Sequence, residues 1–132
     1  MKRRIFLSHS GRDQALAGSL RRALGKLGVS AFSAEHDLKP GDDWSKSVLD
    51  AIRRSDQVVV LLTEPGSAAA SWIGYEVGSA SALGKDVVVM KPSSFAMRDL
   101  PNDLVGWRTI DFDPNSPDKT AKALVSSLAV AG

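Results

Sequence analysis

The chain of 132 residues contains no cysteine. Disulfides, thiolate nucleophiles and cysteine-based zinc sites are therefore excluded, and a reducing compartment is a natural setting. Long hydrophobic runs are missing as well, since no apolar stretch approaches the roughly 18 residues of a membrane span. Basic Lys2-Arg3-Arg4 is followed only by Ile5-Phe6-Leu7 before polar Ser8-His9-Ser10, too short for the core of a signal peptide. A soluble, cytoplasmic protein is expected. Excess charge is small, the formal net value being +2. The pairs Arg3-Arg4, Arg21-Arg22 and Arg53-Arg54 have acidic residues between them and no interleaved aromatics, so they read as solvated faces and not as a nucleic-acid surface. Neither of the two histidines, His9 and His36, has a carboxylate or histidine at metal-ligand spacing. No metal site is expected.

What is present suits a single core. The chain reads as one domain over residues 1–132, either complete or one module of a longer protein. Arg4 to Ser8 is a short apolar strand that stops at a polar cluster. Leu16, Leu20, Leu24 and Leu27 then mark an amphipathic helix from Asp13, which Gly28 ends. Val29 to Phe32 is a second strand, Ser33 to Asp43 a polar loop, and Trp44 to Arg54 a helix. Gln57 to Thr63 and Asp86 to Met90 are nearly continuous branched runs, the pattern of strands buried on both faces. Between them a helix runs from Trp72 to Gly84. Lys91 to Trp107 is irregular, with a short helix possible around Arg98 to Leu104. Thr109 to Phe112 is a fifth strand, and Pro117 opens a closing helix. Strands alternating with helices predict an α/β fold: a five-stranded parallel sheet flanked by helices on both faces. Ligands of such sheets bind at the carboxyl ends of the strands, here the loops Ser8 to Arg12, Ser33 to Asp43 and Glu64 to Trp72.

Several chemistries are absent from those loops. There is no Gly-Lys-Ser phosphate loop, no G-x-G-x-x-G turn and no G-x-S-x-G nucleophile elbow. A phosphate-receiver domain would need an acidic pair after the first strand and an aspartate ending the third, where Ser8-His9 and Thr63-Glu64 stand instead. What remains is a helix that carries Trp72 and, one turn on, Glu76 on the same face. Ile73, Val77, Ala80 and Gly84 trace a neighbouring stripe turned to the core. Glu76 thus lies at the margin of the core beside a large ring. A solvated glutamate is the ordinary alternative, because glutamate is rarely buried.

In order and spacing, Ile5-Phe6-Leu7-Ser8-His9-Ser10, Asp37-Leu38-Lys39-Pro40-Gly41, Trp72-x-x-x-Glu76 and Ala82-Leu83-Gly84-Lys85 together resemble the Toll/interleukin-1 receptor (TIR) domain family in its bacterial form. The resemblance covers nearly the whole chain. It implies a flavodoxin-like TIR fold and, with Glu76 as catalytic residue, an NAD⁺-cleaving activity. Two features depart from the family: its Phe-Trp box is not evident, Trp107 being the nearest candidate, and the cysteine that often follows the helix tryptophan is Ile73. Neither touches the glutamate.

One carboxylate would suffice for such a reaction. Nicotinamide in NAD⁺ is already a cationic pyridinium and leaves neutral without a general acid, unlike the leaving oxygen of a glycoside. Glu76 would stabilise the developing charge on the ribose. Water would then give ADP-ribose, and other nucleophiles a cyclic or base-exchanged product. NAD⁺ is thus expected as substrate, with no separate cofactor. Ser8, Ser10, Gly11 and Arg12 are candidate substrate contacts at the mouth, Arg12 for the pyrophosphate unless it is merely solvated. Trp72 would wall the pocket or anchor its helix. Trp44 is a further candidate contact, with packing the favoured role. Ser71 is the expected N-cap of the Trp72 helix. Gly74 and Gly78 would let a strand or ligand approach that helix. Asp37, Leu38, Lys39, Pro40 and Gly41 form the expected interface loop through which copies stack and activate one another, in a bacterial antiphage setting, with a fused or associated sensor domain as a further partner. The alternatives are a non-catalytic adaptor that binds other TIR domains, and an enzyme acting on another nucleoside or nucleotide.

Overall fold

The branched apolar runs form strands and the amphipathic runs form helices. The computed structural model describes residues 3–39, 41–64 and 73–131. Strand β1 (Arg3–Ser8) leads through a 3₁₀ turn (Gly11–Asp13) into α1 (Gln14–Lys26), and β2 (Val29–Phe32) follows. Next come α2 (Ala34–Asp37), α3 (Trp44–Arg54), β3 (Gln57–Leu61) and α4 (Ile73–Ala82). The chain then forms β4 (Asp86–Pro92), β5 (Arg108–Phe112) and α5 (Pro117–Ala131). All the strand pairs are parallel, in the order β2-β1-β3-β4-β5. This is the doubly wound, flavodoxin-like arrangement.

Period-2 alternation sorts the strand side chains into two cores. Ile5, Leu7, Val59, Leu61, Val88 and Met90 pack with Leu20 and Leu24 of α1 and Leu124 of α5. Phe6, Val58, Val60, Val87 and Val89 pack on the opposite side with Val48 and Ile52 of α3 and Ile73, Val77 and Ala80 of α4. Phe6 is core, as alternation requires, with its ring centroid 5.5 Å from that of Phe32. Every residue of β3 is buried, whereas β5 buries only Phe112 and β2 only Val29, as edge strands do.

Helix ends follow local chemistry. Asp43 caps α3 by accepting the Lys46 backbone N–H at 3.2 Å. Helix α4 ends in a Schellman motif: Lys85 N–H bonds the Ala80 carbonyl, Gly84 N–H bonds the Ser81 carbonyl, and Gly84 takes a φ of +69°. Gly84 is thus the stop of the helix and not a member of its buried stripe.

The structure differs from the sequence reading in several places. Leu27 lies just past the end of α1 and is 40% exposed, while Ala17 and Ala23 join Leu20 and Leu24 in the core. The expected loop after β2 begins with the single helical turn α2, because the Asp37 carboxylate accepts the Ser33 N–H at 2.9 Å and pairs with Arg21. Strand β3 stops at Leu61, short of Thr63, and β4 runs on to Pro92. No α-helix joins β4 to β5. Two 3₁₀ turns, Met97–Asp99 and Asn102–Leu104, stand there, separated by extended Leu100 and Pro101; a residue before proline disfavours helix.

Candidate active site

In this strand order the connection out of β1 runs to β2 and the chain then returns across to β3. The loops after β1 and β3 consequently leave the sheet toward opposite faces, while the strands stay paired as far as Ser8 and Val60. Ser8 ends β1 and is fully buried. Alternation turns its side chain to the α4 side, where its hydroxyl donates to Oε1 of Glu76. Glu76 itself is only 2% exposed and lies in the first turn of α4. A carboxylate there benefits from the positive end of the helix dipole. The solvated reading of Glu76 is therefore excluded, and Ile73, Val77 and Ala80 form the adjoining core stripe as expected. Glu76 makes further interactions besides the Ser8 bond.

His9, 1% exposed, is held at both ring nitrogens. Its Nδ1 lies 2.8 Å from the Ser10 carbonyl oxygen, which only accepts, so Nδ1 carries the proton. The other nitrogen, Nε2, then accepts from the Ser33 hydroxyl at 2.7 Å. Burial holds the imidazole below its ordinary pKa of 6.5, with Arg21 adding to the effect, against the upward pull of the Ser10 carbonyl and Asp13. His9 is a neutral clamp joining the end of β1 to the start of α2.

Asp13 ends the 3₁₀ turn after β1 and is 6% exposed. Thr63, just beyond β3, donates to its Oδ1 at 2.6 Å, so this bond ties the turn after β1 to the end of β3. Asp13 Oδ2 and Ser10 Oγ, both buried, have no hydrogen-bond partner among the described residues. Arg12 and Gly11 lie at the exposed rim. Arg12 pairs with Glu64 at 2.5 Å, both side chains more than half exposed, so its guanidinium joins the two loops across the mouth.

The other expected site residues fall into place or apart as follows. Trp44 is half-buried against the core on the α3–α4 side, as its packing role requires. Asp37 is tied to Arg21 at 2.9 and 3.0 Å, and Leu38 packs against the same core as Trp44. Among the described residues of the expected interface loop Asp37, Lys39 and Gly41 are exposed, Gly41 with φ +96°. Lys39 N–H bonds the Asp42 carboxylate at 2.7 Å and closes a turn. Pro40, Ser71 and Trp72 lie outside the described residues. The group closest to Gly74 belongs to the loop before β5, Asp103, whose Oδ2 would lie 3.4 Å from an added Cβ; beside Gly78 is open space. Among the described residues no strand atom lies within 4 Å of a Cβ added at either glycine. Among the described residues, no three His, Asp or Glu side chains gather as a metal-binding group.

Sequence reasoning missed Asp13, Thr63 and Ser33 as members of this cluster. Asp13 looked like a helix start, and nothing local ties it to a threonine 50 positions away.

A parallel sheet ordered 2-1-3-4-5 with helices on both faces defines an α/β domain of the flavodoxin-like class. Within that class the chain belongs to the TIR domain family, whose sequence model matches residues 5–125. No curated protein matches it by sequence. Among solved structures, the RPS4 and RRS1 TIR domain heterodimer gives a TM-score of 0.71 at 15% identity, covering 97% of this chain and 96% of that one. The TIR domain of the Toll-related receptor TRR-2 from Hydra magnipapillata gives 0.69 at 16% identity, covering 95% and 97%. A 2-deoxyribosyltransferase from Bacillus psychrosaccharolyticus gives 0.64 at 17% identity, covering 87% and 90%. At these identities the likeness is one of fold.

Proposed function

We propose that this TIR domain is an NAD⁺ glycohydrolase or cyclase in which Glu76 is the catalytic residue. The observation that carries the reading is the burial of Glu76 at the carboxyl edge of the sheet, with one carboxylate oxygen held by Ser8 at the end of β1. In the reaction the bond between ribose C1′ and the pyridinium nitrogen breaks, and its electron pair goes to that nitrogen, so nicotinamide leaves neutral. The sugar carbon acquires oxocarbenium character, which the fixed negative charge of Glu76 stabilises without reorganisation. Water adds at C1′ and loses a proton to give ADP-ribose; an internal nucleophile of the same dinucleotide gives a cyclic product. NAD⁺ is the substrate, and the residues require no further cofactor for this chemistry. Ser8 acts by holding Glu76, and Ser10, Gly11 and Trp72 remain candidate substrate contacts. Trp44 serves as a packing residue, and Arg12 reaches a pyrophosphate only by leaving Glu64.

Self-assembly through residues 37–41 raises the activity, and antiphage defence in the cytoplasm is the setting this chemistry suits. The test is chromatographic product analysis from NAD⁺, with wild type and Glu76→Gln compared at equal concentration. Nicotinamide release is expected to fall by about a hundredfold or more in the variant. Release that survives Glu76→Gln removes the assignment, and no release from concentrated wild type favours a non-catalytic adaptor. A base other than nicotinamide, released faster from a panel of nucleosides and nucleotides, points to a nucleoside-processing enzyme instead.

A further inference from the structure

Strand β2 closes the sheet on one side, with β1 as its neighbour. A strand paired on one side only turns alternate backbone N–H and C=O groups outward. Among the described residues, the main chain of residues 29–32 bonds no main chain beyond β1. Its side-chain partner is Arg21, whose Nε donates to the Ala31 carbonyl at 3.1 Å while the guanidinium is paired with Asp37. A charged side chain is a usual guard of a sheet edge, but this one covers a single carbonyl and no N–H.

A cleft flanks this edge on each face of the sheet. Alternation sets Val29 and Ala31 toward α1 and Phe32 toward α3. On the α3 side a volume of about 160 Å³ lies between Arg4, Phe32 and Arg54. On the α1 side about 420 Å³ lies between Arg21, Arg22, Gly25 and Ala31. Exposed Ser30 borders both clefts, so the edge is the ridge between them. Each lining carries two arginines and no acidic residue. Arg4, Arg22 and Arg54 are exposed and take part in no ion pair among the described residues. Carboxylates on the adjoining elements are engaged: Asp37 with Arg21, Asp50 with Arg53, and Asp56 with the Arg4 backbone N–H at 2.9 Å.

We propose that the free edge of β2 docks an extended acidic segment of a partner protein, which adds to the sheet as a further strand. The main chain of the segment continues the ladder at the ordinary strand spacing of about 4.8 Å. Its side chains then point alternately to the two faces, where carboxylates meet Arg4 and Arg54 in one cleft and Arg22 in the other. Main-chain bonds supply the affinity, and the arginines select the charge of the occupant. Helix α4 and Glu76 pack on the far side of β1, against β3 and β4, so this surface does not depend on the catalytic reading.

The probe is an end-blocked peptide, Val-Glu-Glu-Val-Glu-Glu-Val, which carries carboxylates on both faces of a strand. It is titrated into the whole chain at low salt and followed by amide NMR. Two controls accompany it: the same peptide with lysine for glutamate, and the glutamate peptide N-methylated at alternate residues, which keeps its charge but cannot form a ladder. The amides of residues 29–32 are expected to shift and gain protection from exchange, and both controls to bind at least about tenfold more weakly. Arg22→Gln and Arg54→Gln, at exposed positions, should each weaken the glutamate peptide several-fold. The peptide controls use the unaltered protein, so they decide the matter if a variant does not fold. Equal binding of the N-methylated or the lysine peptide overturns strand addition or charge selection respectively, and with it the proposal. So does the absence of binding at millimolar concentration. Tighter binding of oligothymidylate at the same amides makes the edge a polyanion surface, and protection that rises with protein concentration alone assigns it to a second copy; either result overturns the acidic segment as occupant.

Discussion

Ser8 donates one hydrogen bond, and its consequence can be measured. Fully buried, its hydroxyl fixes the position of the Glu76 carboxylate. Ser8→Ala removes the donor, so in the proposed reaction kcat is expected to fall by about tenfold or more, with the circular dichroism spectrum unchanged. His9 gives a pH effect on stability. Its folded-state pKa lies below the unfolded one, so between the two values the unfolded chain holds the additional proton. The contribution is present in full above about pH 6.5 and is lost as pH falls from there toward the lowered folded value. Urea melts between pH 7.5 and 5 should show this decline, and His9→Gln should flatten it.

At the scale of the element, two glycines of one helical segment are expected to respond in opposite directions. Gly84 sits at φ +69° in the Schellman stop of α4, where an alanine is strained by about 1 kcal/mol or more. Gly78 is exposed inside the same helix with open space at its Cβ, so Gly78→Ala should stabilise by up to about 1 kcal/mol. Thermal melts of the two variants, moving down and up respectively, check the pair. Helix α4 also shows what could be read from the sequence. Its core stripe follows from period, and the all-apolar run at β3 follows from burial on both faces, so both were legible. The single turn α2 was not, because Arg21, sixteen residues earlier, holds it. The burial of Glu76 was legible only as a position beside the core, since the hydroxyl that fixes it comes from a strand 68 residues away. Thr63 was likewise silent: it reads as the tail of a strand until Asp13 is folded against it.

For the whole molecule, assembly is the property that the outward residues of the 37–41 segment govern in the proposed function. Specific activity is expected to climb with protein concentration instead of staying constant. Lys39→Glu, at an exposed turn, should blunt that climb and leave the circular dichroism spectrum unchanged. A constant specific activity across a hundredfold dilution would show that single copies act alone. The pairing of β1 with β3 has another consequence, during synthesis of the chain. Ile5 aligns with Gln57, so the first strand made by the ribosome has no neighbour on that side until the third emerges. A nascent or truncated polypeptide that ends within Val58-Val59-Val60 presents valines whose other edge and remaining cover, β4 and α4, have not yet been made. Chaperone demand should peak at that point of translation and subside once the helices that cover β3 have been made.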